Sequence, residues 1–181
     1  MIIYPKLVVL DVDGVLTDGT KQYVNGKPVS KSFSDKDFTA MKILKSKGSK
    51  VCFLTADAGN AALAKDRNID CFVSRDAYNR INKKEAFQVV RKHYGLSAND
   101  VVWGVGDDVF DIEWLELCDK SFCPVDAAAL VQSSVSVVLE SYGGEGLVQE
   151  IVERFMLPIT KQDIKLLVEI DSHEGWSHAA R

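Results

Sequence analysis

Apolar and polar positions follow two different periods along most of the chain. Short continuous apolar runs, which are typical of buried parallel strands, occur at residues 7–10, 51–54, 71–73 and 101–105, and two more strand-like runs lie at residues 120–123 and 136–139. Between these runs the apolar residues recur every three or four positions, which predicts helices over residues 38–47, 61–67, 83–94, 112–117, 127–131 and 146–155. Strands that alternate with helices predict an α/β fold, in which a parallel sheet is covered by helices on both faces.

A β-hairpin is predicted within residues 20–34, where this alternation is interrupted. Asn25-Gly26 is a strong turn signal, and apolar residues lie on both sides of it. Just beyond the hairpin, Asp37 is placed to cap the helix that begins near Phe38.

The C-terminal residues form a segment of different character. We expect a core over residues 1–157 and a tail over residues 158–181, with a short amphipathic helix at residues 162–170. The polar end of this tail contains His173 and His178. Two histidines near a frayed chain end are more often solvated than bound to metal, so we predict no metal site there.

Composition and charge exclude several classes of function. Hydrophobic residues make up 46% and charged residues 27% of the chain, which indicates a globular protein. The formal net charge of -4 provides no basic surface for nucleic acid or for an anionic membrane. No apolar run approaches the about 20 residues of a membrane span. The four cysteines contain no C-x-x-C pair, so we expect reduced thiols in a cytoplasmic protein.

Acidic residues follow two of the predicted strands. Asp11 and Asp13 come after the first strand, and Asp107, Asp108 and Asp111 come after the fourth. In an open α/β sheet, ligands bind beyond the carboxyl ends of the strands. Carboxylates that meet there repel one another unless a cation lies between them, and hard carboxylate oxygens suit Mg²⁺. A single aspartate would be an ordinary turn residue or helix cap, but this group predicts a Mg²⁺ site.

The spacing of Asp11 and Asp13 fits a two-carboxylate reaction on a phosphate ester. Side chains at positions i and i+2 of an extended strand project to the same side. Asp11 can therefore attack phosphorus while Asp13 protonates the leaving alcohol and later activates water. Thr55, at a strand end, can donate its hydroxyl to a phosphoryl oxygen, and Lys83, at a helix start, can neutralise charge on the transferring group.

These residues occur in an order that resembles the four motifs of the phosphatases of the haloacid dehalogenase (HAD) superfamily. The motifs are Asp11-Val12-Asp13-Gly14-Val15-Leu16-Thr17-Asp18, Leu54-Thr55, Asn82-Lys83 and Gly106-Asp107-Asp108-x-x-Asp111. The resemblance covers residues 6–155 and implies a Rossmann-like core with phosphoric monoester hydrolase activity. Asn82-Lys83 matches the Asp/Asn-Lys pair of the family, so we take Lys83 rather than Lys84 as the motif lysine.

The resemblance also implies a role for each acidic residue. Asp11 would be the nucleophile and a Mg²⁺ ligand, and Asp107 would be a second ligand. Asp13 would be the acid/base and would ligate the metal through its backbone carbonyl. Asp108 and Asp111 would support the site rather than contact the metal.

The motifs lie too close together for an inserted cap domain. The gaps from Asp18 to Thr55 and from Thr55 to Lys83 are both too short to contain one. The chain therefore resembles the uncapped branch of the superfamily, whose members dephosphorylate 3-deoxy-manno-octulosonate 8-phosphate or the related nine-carbon 2-keto-3-deoxynononate 9-phosphate. The implied substrate is a phosphorylated sugar acid. Members of this branch are typically tetramers in which the hairpin helps to cap a neighbour's site, which implies a homotetramer.

Substrate contacts are implied by the same resemblance, at Thr17, Ser34, Asp37, Ala56, Asp57 and Arg67. Arg67, from the same or a neighbouring subunit, would pair with the sugar carboxylate. The chain departs from the branch at Ala56-Asp57, where the family has Gly-Arg or Gly-Glu, and at Glu145, where it has Arg. Asp57 removes a cation but can accept hydrogen bonds from sugar hydroxyls, which favours a nine-carbon or otherwise altered substrate.

Three other functions stay open from the sequence. A non-catalytic assembly module, related to the domain joined to acylneuraminate cytidylyltransferases, would share the fold but would not need the acidic cluster. A receiver-like signalling domain also has acidic residues at strand ends, but in a different order along the chain. A nucleic-acid 3′-phosphatase would share the chemistry but would need a basic surface.

Overall fold

The computed structural model describes residues 4–172, so His173 and His178 lie outside the described residues. The strands are β1 (Leu7–Leu10), β2 (Gln22–Val24), β3 (Lys27–Ser30), β4 (Lys50–Thr55), β5 (Asp70–Val73), β6 (Val102–Val105), β7 (Lys120–Cys123) and β8 (Val137–Val138). The helices are α1 (Asp35–Ser46), α2 (Asn60–Asp66), α3 (Lys83–His93), α4 (Ile112–Leu115), α5 (Ala129–Gln132), α6 (Leu147–Phe155) and α7 (Lys161–Ser172). Within the described range, no helix is both long and apolar enough to cross a bilayer.

Six strands form one parallel sheet in the order β5-β4-β1-β6-β7-β8, which confirms the α/β prediction. In the central strand β1, Leu10 lies opposite Phe53 on one side and Val105 on the other. The chain adds β4 and β5 on one side of β1 and then crosses to add β6, β7 and β8 on the other. Ligands bind where the strand order reverses in this way, at the carboxyl ends of the strands. Asp11 follows β1 at this point.

The residues of β1 divide between two hydrophobic cores, one on each face of the sheet. Val8 and Leu10 pack into the core on the side of α1 and α6, and Leu7 and Val9 pack into the core on the side of α3 and α4. All four side chains are fully buried. Burial on both faces explains why this strand is a continuous apolar run, and each such side chain contributes about 1.5–3 kcal/mol. The first motif therefore begins from a rigid strand.

The predicted hairpin is confirmed as a separate two-stranded antiparallel sheet of β2 and β3. Its turn residues, Asn25 and Gly26, both have positive φ angles, of 50° and 75°, as a tight two-residue hairpin turn requires. Every residue of the two strands is exposed. A two-stranded ribbon is marginally stable by itself, so the hairpin depends on contacts beyond its own ladder.

Helix α1 begins at Asp35, earlier than expected, and Ser34 occupies its N-cap position. The prediction that Asp37 caps this helix is therefore wrong, because Asp37 lies within its first turn. The Asp37 Oδ1 atom instead accepts hydrogen bonds from the backbone N–H groups of Val148, at 2.7 Å, and Gln149, at 3.3 Å. The carboxylate of one helix thus caps the N-terminus of another, and it joins α1 to α6.

Helix α7 lies where a short helix was expected near the C-terminus, and two of its apolar residues, Ile164 and Val168, are exposed. It packs against α1, and Lys47 Nζ lies 2.7 Å from Asp163 Oδ2 and 2.8 Å from the backbone oxygen of Pro158. The division of the chain into a core and a tail stays a prediction.

Candidate active site

Asp11 is held by the central strand pairing of the sheet. It is the first residue beyond β1, and its backbone N–H donates to the Val105 oxygen at 2.9 Å, which extends the pairing of β1 with β6. Only 5% of Asp11 is exposed. Because β6 ends alongside it, Asp107 reaches the same position after Gly106. Two motifs that are far apart in the sequence therefore meet at adjacent strand ends.

Lys83 is buried between two carboxylates. It is the first residue of α3, and the Asn82 side chain caps this helix by accepting from the Glu85 N–H. Lys83 Nζ lies 2.7 Å from Asp11 Oδ2 and 2.6 Å from Asp111 Oδ1. Lys84 points elsewhere, with its exposed Nζ 3.5 Å from Glu113 Oε1. The geometry therefore brings Lys83, and not Lys84, to Asp11.

Asp111 orients its neighbours with both carboxylate oxygens. Its Oδ1 accepts from Trp114 Nε1 at 2.8 Å as well as from Lys83. Its Oδ2 accepts from the backbone N–H groups of Asp107, at 3.2 Å, and Asp108, at 3.1 Å. Asp111 is fully buried, whereas Asp108 is exposed. Asp111 therefore holds both the Lys83 side chain and the loop after β6 in place.

Carboxylate oxygens of Asp11, Asp107 and Asp111 all lie within 4.8 Å of one another. Burial and repulsion from Asp111 raise the pKa of Asp11 to about 7, although Lys83 opposes this. Burial and repulsion from Asp11 and Asp111 raise the pKa of Asp107 to about 8. The Asp107 Oδ1 atom is buried and has no hydrogen-bond partner among residues 4–172. An all-oxygen cluster with an unused buried oxygen fits a divalent cation, which would relieve the repulsion.

Gly14 allows the Asp107 carboxylate to lie against the backbone of the first motif. Its φ angle is +88°, and a Cβ atom at this position would be only 2.0 Å from Asp107 Oδ2. A Cβ at Gly143 would lie 2.2 Å from the Gly14 oxygen. The loop before α6 therefore packs directly on the first motif.

Asp13 lies on a turn rather than on an extended strand. Leu16 N–H donates to the Val12 oxygen at 2.9 Å, and Thr17 N–H donates to the same oxygen at 3.2 Å. The expected alternation of Asp11 and Asp13 along a strand therefore does not apply. The two carboxylates have separate partners, since Asp11 meets Lys83 and Asp13 meets Asn60.

Asn60 connects Asp13 to Thr55. Its Nδ2 donates to Asp13 Oδ2 at 3.1 Å and to Thr55 Oγ1 at 2.9 Å. Thr55 Oγ1 also accepts from the Asp57 N–H at 3.2 Å. Because this oxygen accepts two hydrogen bonds, the hydroxyl proton of Thr55 is available for a third group.

Two lysines of the hairpin fold back over Asp13 and Asp57. Lys31 Nζ lies 2.7 Å from Asp13 Oδ1, 2.8 Å from Asp57 Oδ2 and 2.7 Å from Asn60 Oδ1. Lys21 Nζ lies 2.7 Å from Asp57 Oδ2 and 3.8 Å from Asp13 Oδ2. Hydrogen bonds from Lys21 and Lys31 hold the pKa of Asp57 well below its usual range. The hairpin is thereby attached to the loop after β4.

Two of the residues expected at the substrate belong to backbone turns. Thr17 is fully buried, and its Oγ1 accepts from the N–H groups of Gly14, at 3.3 Å, and Gly19, at 3.1 Å. Its side chain therefore stabilises the turn of the first motif. Ala56 follows β4 and accepts with its backbone oxygen from Arg75 Nε at 2.9 Å.

The other expected residues lie at α1. Ser34 precedes the helix, Asp37 is buried against α6, and Arg67 lies over the Phe38 ring with 4.1 Å from Cζ to the ring centroid. Arg67 also approaches Asp35, with 3.6 Å from its Nη2 to Oδ1. Their roles in substrate binding stay predictions.

Lys21, Lys31 and Asn60 were not expected at the site. The sequence offers only weak signals for them, because lysines that flank a hairpin are common on surfaces. Asn60 is the first residue of α2, after Gly59 at the N-cap position, and nothing in its local sequence pattern indicates a contact with the site. Their contacts with Asp13 arise from tertiary folding.

Comparison with known proteins gives the family. The chain is 30% identical over 152 residues to 3-deoxy-D-manno-octulosonate 8-phosphate phosphatase KdsC of Haemophilus influenzae, covering 83% of this chain and 82% of the relative. The chain belongs to the KdsC family of HAD phosphatases. KdsC of Escherichia coli K12 is 28% identical over 158 residues, which cover 87% of this chain and 82% of the relative. No protein-family profile matches the chain.

Solved structures of KdsC-type phosphatases share the fold. The cobalt-bound form of the H. influenzae phosphatase superposes with a TM-score of 0.75 at 26% identity, over 94% of each chain. The Moraxella catarrhalis phosphatase, in complex with magnesium, phosphate and KDO, superposes with a TM-score of 0.73 at 22% identity, over 93% of this chain and 91% of that chain. The Rossmann-like HAD fold and the phosphatase class expected from the motifs are therefore confirmed.

Proposed function

We propose that the chain is a Mg²⁺-dependent phosphomonoesterase that acts through an aspartyl-phosphate. The observation that carries this proposal is the burial of Lys83 between Asp11 and Asp111. A buried cation beside a strand-end carboxylate is a preorganised partner for the charge of a transferring phosphoryl group. The proposed substrate is a phosphorylated 2-keto-3-deoxy sugar acid, of the octulosonate 8-phosphate or nononate 9-phosphate type.

In this proposal, Asp11, Asp107 and the backbone carbonyl of Asp13 would hold Mg²⁺. The Oδ1 atom of Asp107, which no described residue contacts by a hydrogen bond, and the raised pKa values of Asp11 and Asp107 support a cation there. The bound ion would supply Lewis-acid stabilisation of the phosphoryl oxygens.

The first half of the reaction transfers the phosphoryl group to the protein. A carboxylate oxygen of Asp11 attacks phosphorus, and the bond from phosphorus to the sugar oxygen breaks. Asp13 donates its proton to that oxygen, so the sugar leaves as an alcohol and Asp11 carries an acyl phosphate. Thr55 donates its free hydroxyl proton to a phosphoryl oxygen, while Lys83 neutralises developing charge.

The second half returns Asp11 to its starting form. Asp13 is now an anion, and it takes a proton from a water molecule whose oxygen attacks phosphorus. The bond from phosphorus to the Asp11 oxygen breaks, which releases inorganic phosphate and leaves Asp13 protonated for the next cycle.

The relatives support the substrate class. The H. influenzae and E. coli relatives are named for 3-deoxy-D-manno-octulosonate 8-phosphate, and the M. catarrhalis structure contains KDO. Asp57 stands where family members have Arg or Glu, which favours a nine-carbon or otherwise altered sugar acid. We therefore propose the compound class, with both chain lengths as candidates.

The proposed enzyme is a cytoplasmic homotetramer. Tyr23, Val24 and Val29 of the hairpin are 60%, 56% and 56% exposed, and a second copy of the chain would cover them. The four cysteines are free, which supports a reducing compartment.

Phosphate release from a panel of esters tests the proposed function. The panel contains both sugar acid phosphates and p-nitrophenyl phosphate, each assayed with Mg²⁺ and with a chelator, for the wild type and Asp11→Asn. Hydrolysis that requires both Mg²⁺ and Asp11, and that favours the sugar acids, is the expected result. Equal rates on all esters would reject the substrate class. A folded wild type that hydrolyses none of them would favour the assembly-module alternative.

A further inference from the structure

Asn60 is a buried amide that joins three groups of the site. It is 3% exposed, and its Nδ2 group donates to both Asp13 Oδ2 and Thr55 Oγ1, at 3.1 Å and 2.9 Å. Its Oδ1 accepts from Lys31 Nζ at 2.7 Å. Both the nitrogen and the oxygen of the side-chain amide therefore make hydrogen bonds within the site.

Lys31 forms an ion pair with the other oxygen of Asp13. Its Nζ lies 2.7 Å from Asp13 Oδ1, and it also contacts Asp57 Oδ2 at 2.8 Å. The nearest contact of each Asp13 oxygen therefore comes from a different element, Asn60 of α2 for Oδ2 and Lys31 of the hairpin for Oδ1. Lys21 Nζ is a more distant neighbour, 3.8 Å from Oδ2. Asn60 and Lys31 also contact each other, which closes the arrangement around the carboxylate.

We propose that Asn60 and Lys31 are positioning residues, which hold the Asp13 carboxylate in the orientation that proton transfer requires. This inference rests on the proposed phosphatase reaction, in which Asp13 is the acid/base. Asp13 lies on a turn and its side chain is 23% exposed, so strand pairing does not fix its direction. Through Thr55, the same amide couples the direction of Asp13 to the group that contacts the phosphoryl oxygens.

A purely structural role for Asn60 makes the opposite prediction for one substitution. Asn60 is the first residue of α2, and an acidic side chain at a helix N-terminus is stabilising. Asn60→Asp has the same shape, so it would leave the direction of Asp13 unchanged if Asn60 served only the helix. In our proposal it replaces the amide donor to Asp13 Oδ2 with a carboxylate oxygen. The hydrogen bond that sets the direction of Asp13 is lost, and at a pH where both carboxylates are ionised they repel each other.

A comparison of two esters with different leaving groups distinguishes an effect on the position of Asp13 from a general electrostatic effect of the added charge. An added negative charge weakens binding of all phosphate esters alike. An alkyl ester needs its leaving oxygen protonated, whereas p-nitrophenol is far more acidic and departs with little help. The ratio of kcat/KM for the sugar acid phosphate to kcat/KM for p-nitrophenyl phosphate therefore reports proton donation by Asp13.

For Asn60→Asp, we expect this ratio to fall by about 10- to 100-fold, since general acid catalysis contributes about 10²–10⁴-fold. Asn99→Asp is the matched control, because it makes the same chemical change at an exposed loop position. The control should keep the wild-type ratio. A wild-type ratio in Asn60→Asp would overturn the role of Asn60.

Lys31→Met tests the second contact, with Lys27→Met as its control. Both lysines belong to the hairpin region, but Lys27 is exposed in β3. The ratio should fall by about 10-fold or more in Lys31→Met and stay at the wild-type value in Lys27→Met. Equal ratios in the two variants would remove Lys31 from the proposal.

A crystal structure of Asn60→Asp provides a readout that does not depend on activity. The Asp13 carboxylate should rotate away from residue 60, while α2 keeps its place. An unmoved Asp13 would overturn the inference even if the wild type hydrolysed no ester. Conversely, if the wild type showed no turnover that depends on Mg²⁺ and on Asp11, the proposed function would be rejected, whatever the orientation of Asp13.

Discussion

The Asp37 carboxylate of α1 accepts a 2.7 Å hydrogen bond from the backbone N–H of Val148, in the first turn of α6. Helix N-termini carry unpaired N–H groups and a partial positive charge, which a carboxylate satisfies. Here the carboxylate comes from another helix, and it is 1% exposed. The loop that precedes α6 packs on Gly14. Asp37 therefore anchors a helix whose leading loop supports the first motif.

Asp37 should make stability depend on pH. Burial raises its pKa to about 6 despite the N–H groups that favour its charge, while the unfolded value is about 3.9. The folded protein therefore binds the proton of the Asp37 carboxyl more tightly than the unfolded chain does. The resulting contribution to the free energy of unfolding is complete below about pH 4 and is lost as the pH rises through about 6. Asp37→Asn keeps an acceptor oxygen and removes the titration.

Urea unfolding at several pH values measures this effect. The pH is raised from 4 to 6.5, which is about the interval between the two pKa values. Over this interval the free energy of unfolding of the wild type should lose about 2 kcal/mol more than that of Asp37→Asn. Asp35→Asn, on the same helix but with an exposed carboxylate, should follow the wild type. Parallel curves for wild type and Asp37→Asn would contradict the assignment.

Lys83 and Lys84 should differ sharply in their effect on catalysis. Lys83→Met removes the cation between Asp11 and Asp111, so kcat/KM for p-nitrophenyl phosphate should fall by about 10²–10³-fold or more. Lys84→Met removes an exposed charge near Glu113 and should stay within about twofold of the wild type. Circular dichroism would check that both variants fold. The reverse pattern would make Lys84 the motif lysine.

The sheet could be predicted from the sequence because most of its strands have a local signal, a short run of apolar residues. β1, β6 and residues 51–54 of β4 are short apolar runs buried on both faces, and Asn25-Gly26 fixes the hairpin turn. The acidic residues could also be placed, since they follow strands whose carboxyl ends meet. Asp11 and Asp107 lie together for this reason.

Contacts between distant elements could not be predicted in the same way. Asp37 has the spacing of a helix cap, but it caps a helix far along the chain. Asn60 and Lys31 meet Asp13 only after α2 and the hairpin pack around it. The spacing argument for Asp13 assumed an extended strand, whereas the backbone turns from Val12 onward. Local patterns carry no information on such packing.

The exposed hairpin should mediate self-association. Val24 and Val29 are each 56% exposed, and a marginal two-stranded ribbon gains stability when a second copy covers its apolar side chains. Light scattering should give an oligomer for the wild type and a smaller species for Val24→Ser combined with Val29→Ser. Val89→Ser, at a position of α3 that is 55% exposed, should keep the wild-type mass. A monomeric wild type would reject the proposed tetramer.

Gly14→Ala should displace Asp107, the proposed metal ligand, without unfolding the protein. The added Cβ would lie 2.0 Å from Asp107 Oδ2, and the end of an aspartate side chain can move where backbone cannot. Gly26→Ala is the matched control, because Gly26 also has a positive φ, of 75°, but apart from its two chain neighbours no described residue has a heavy atom within 4 Å of the added carbon. Both variants carry a similar backbone strain, of about 1 kcal/mol, so the difference between them isolates the displacement of Asp107.

Calorimetric titration with Mg²⁺ in the absence of substrate measures that displacement. The dissociation constant should rise by about 10-fold or more in Gly14→Ala, as it does when the support of a metal ligand is lost. It should stay near the wild-type value in Gly26→Ala. Mg²⁺ binding by Gly14→Ala as tight as that of the wild type would contradict the proposal that the Asp107 carboxylate binds the ion from its present position, because the alanine side chain would occupy that position.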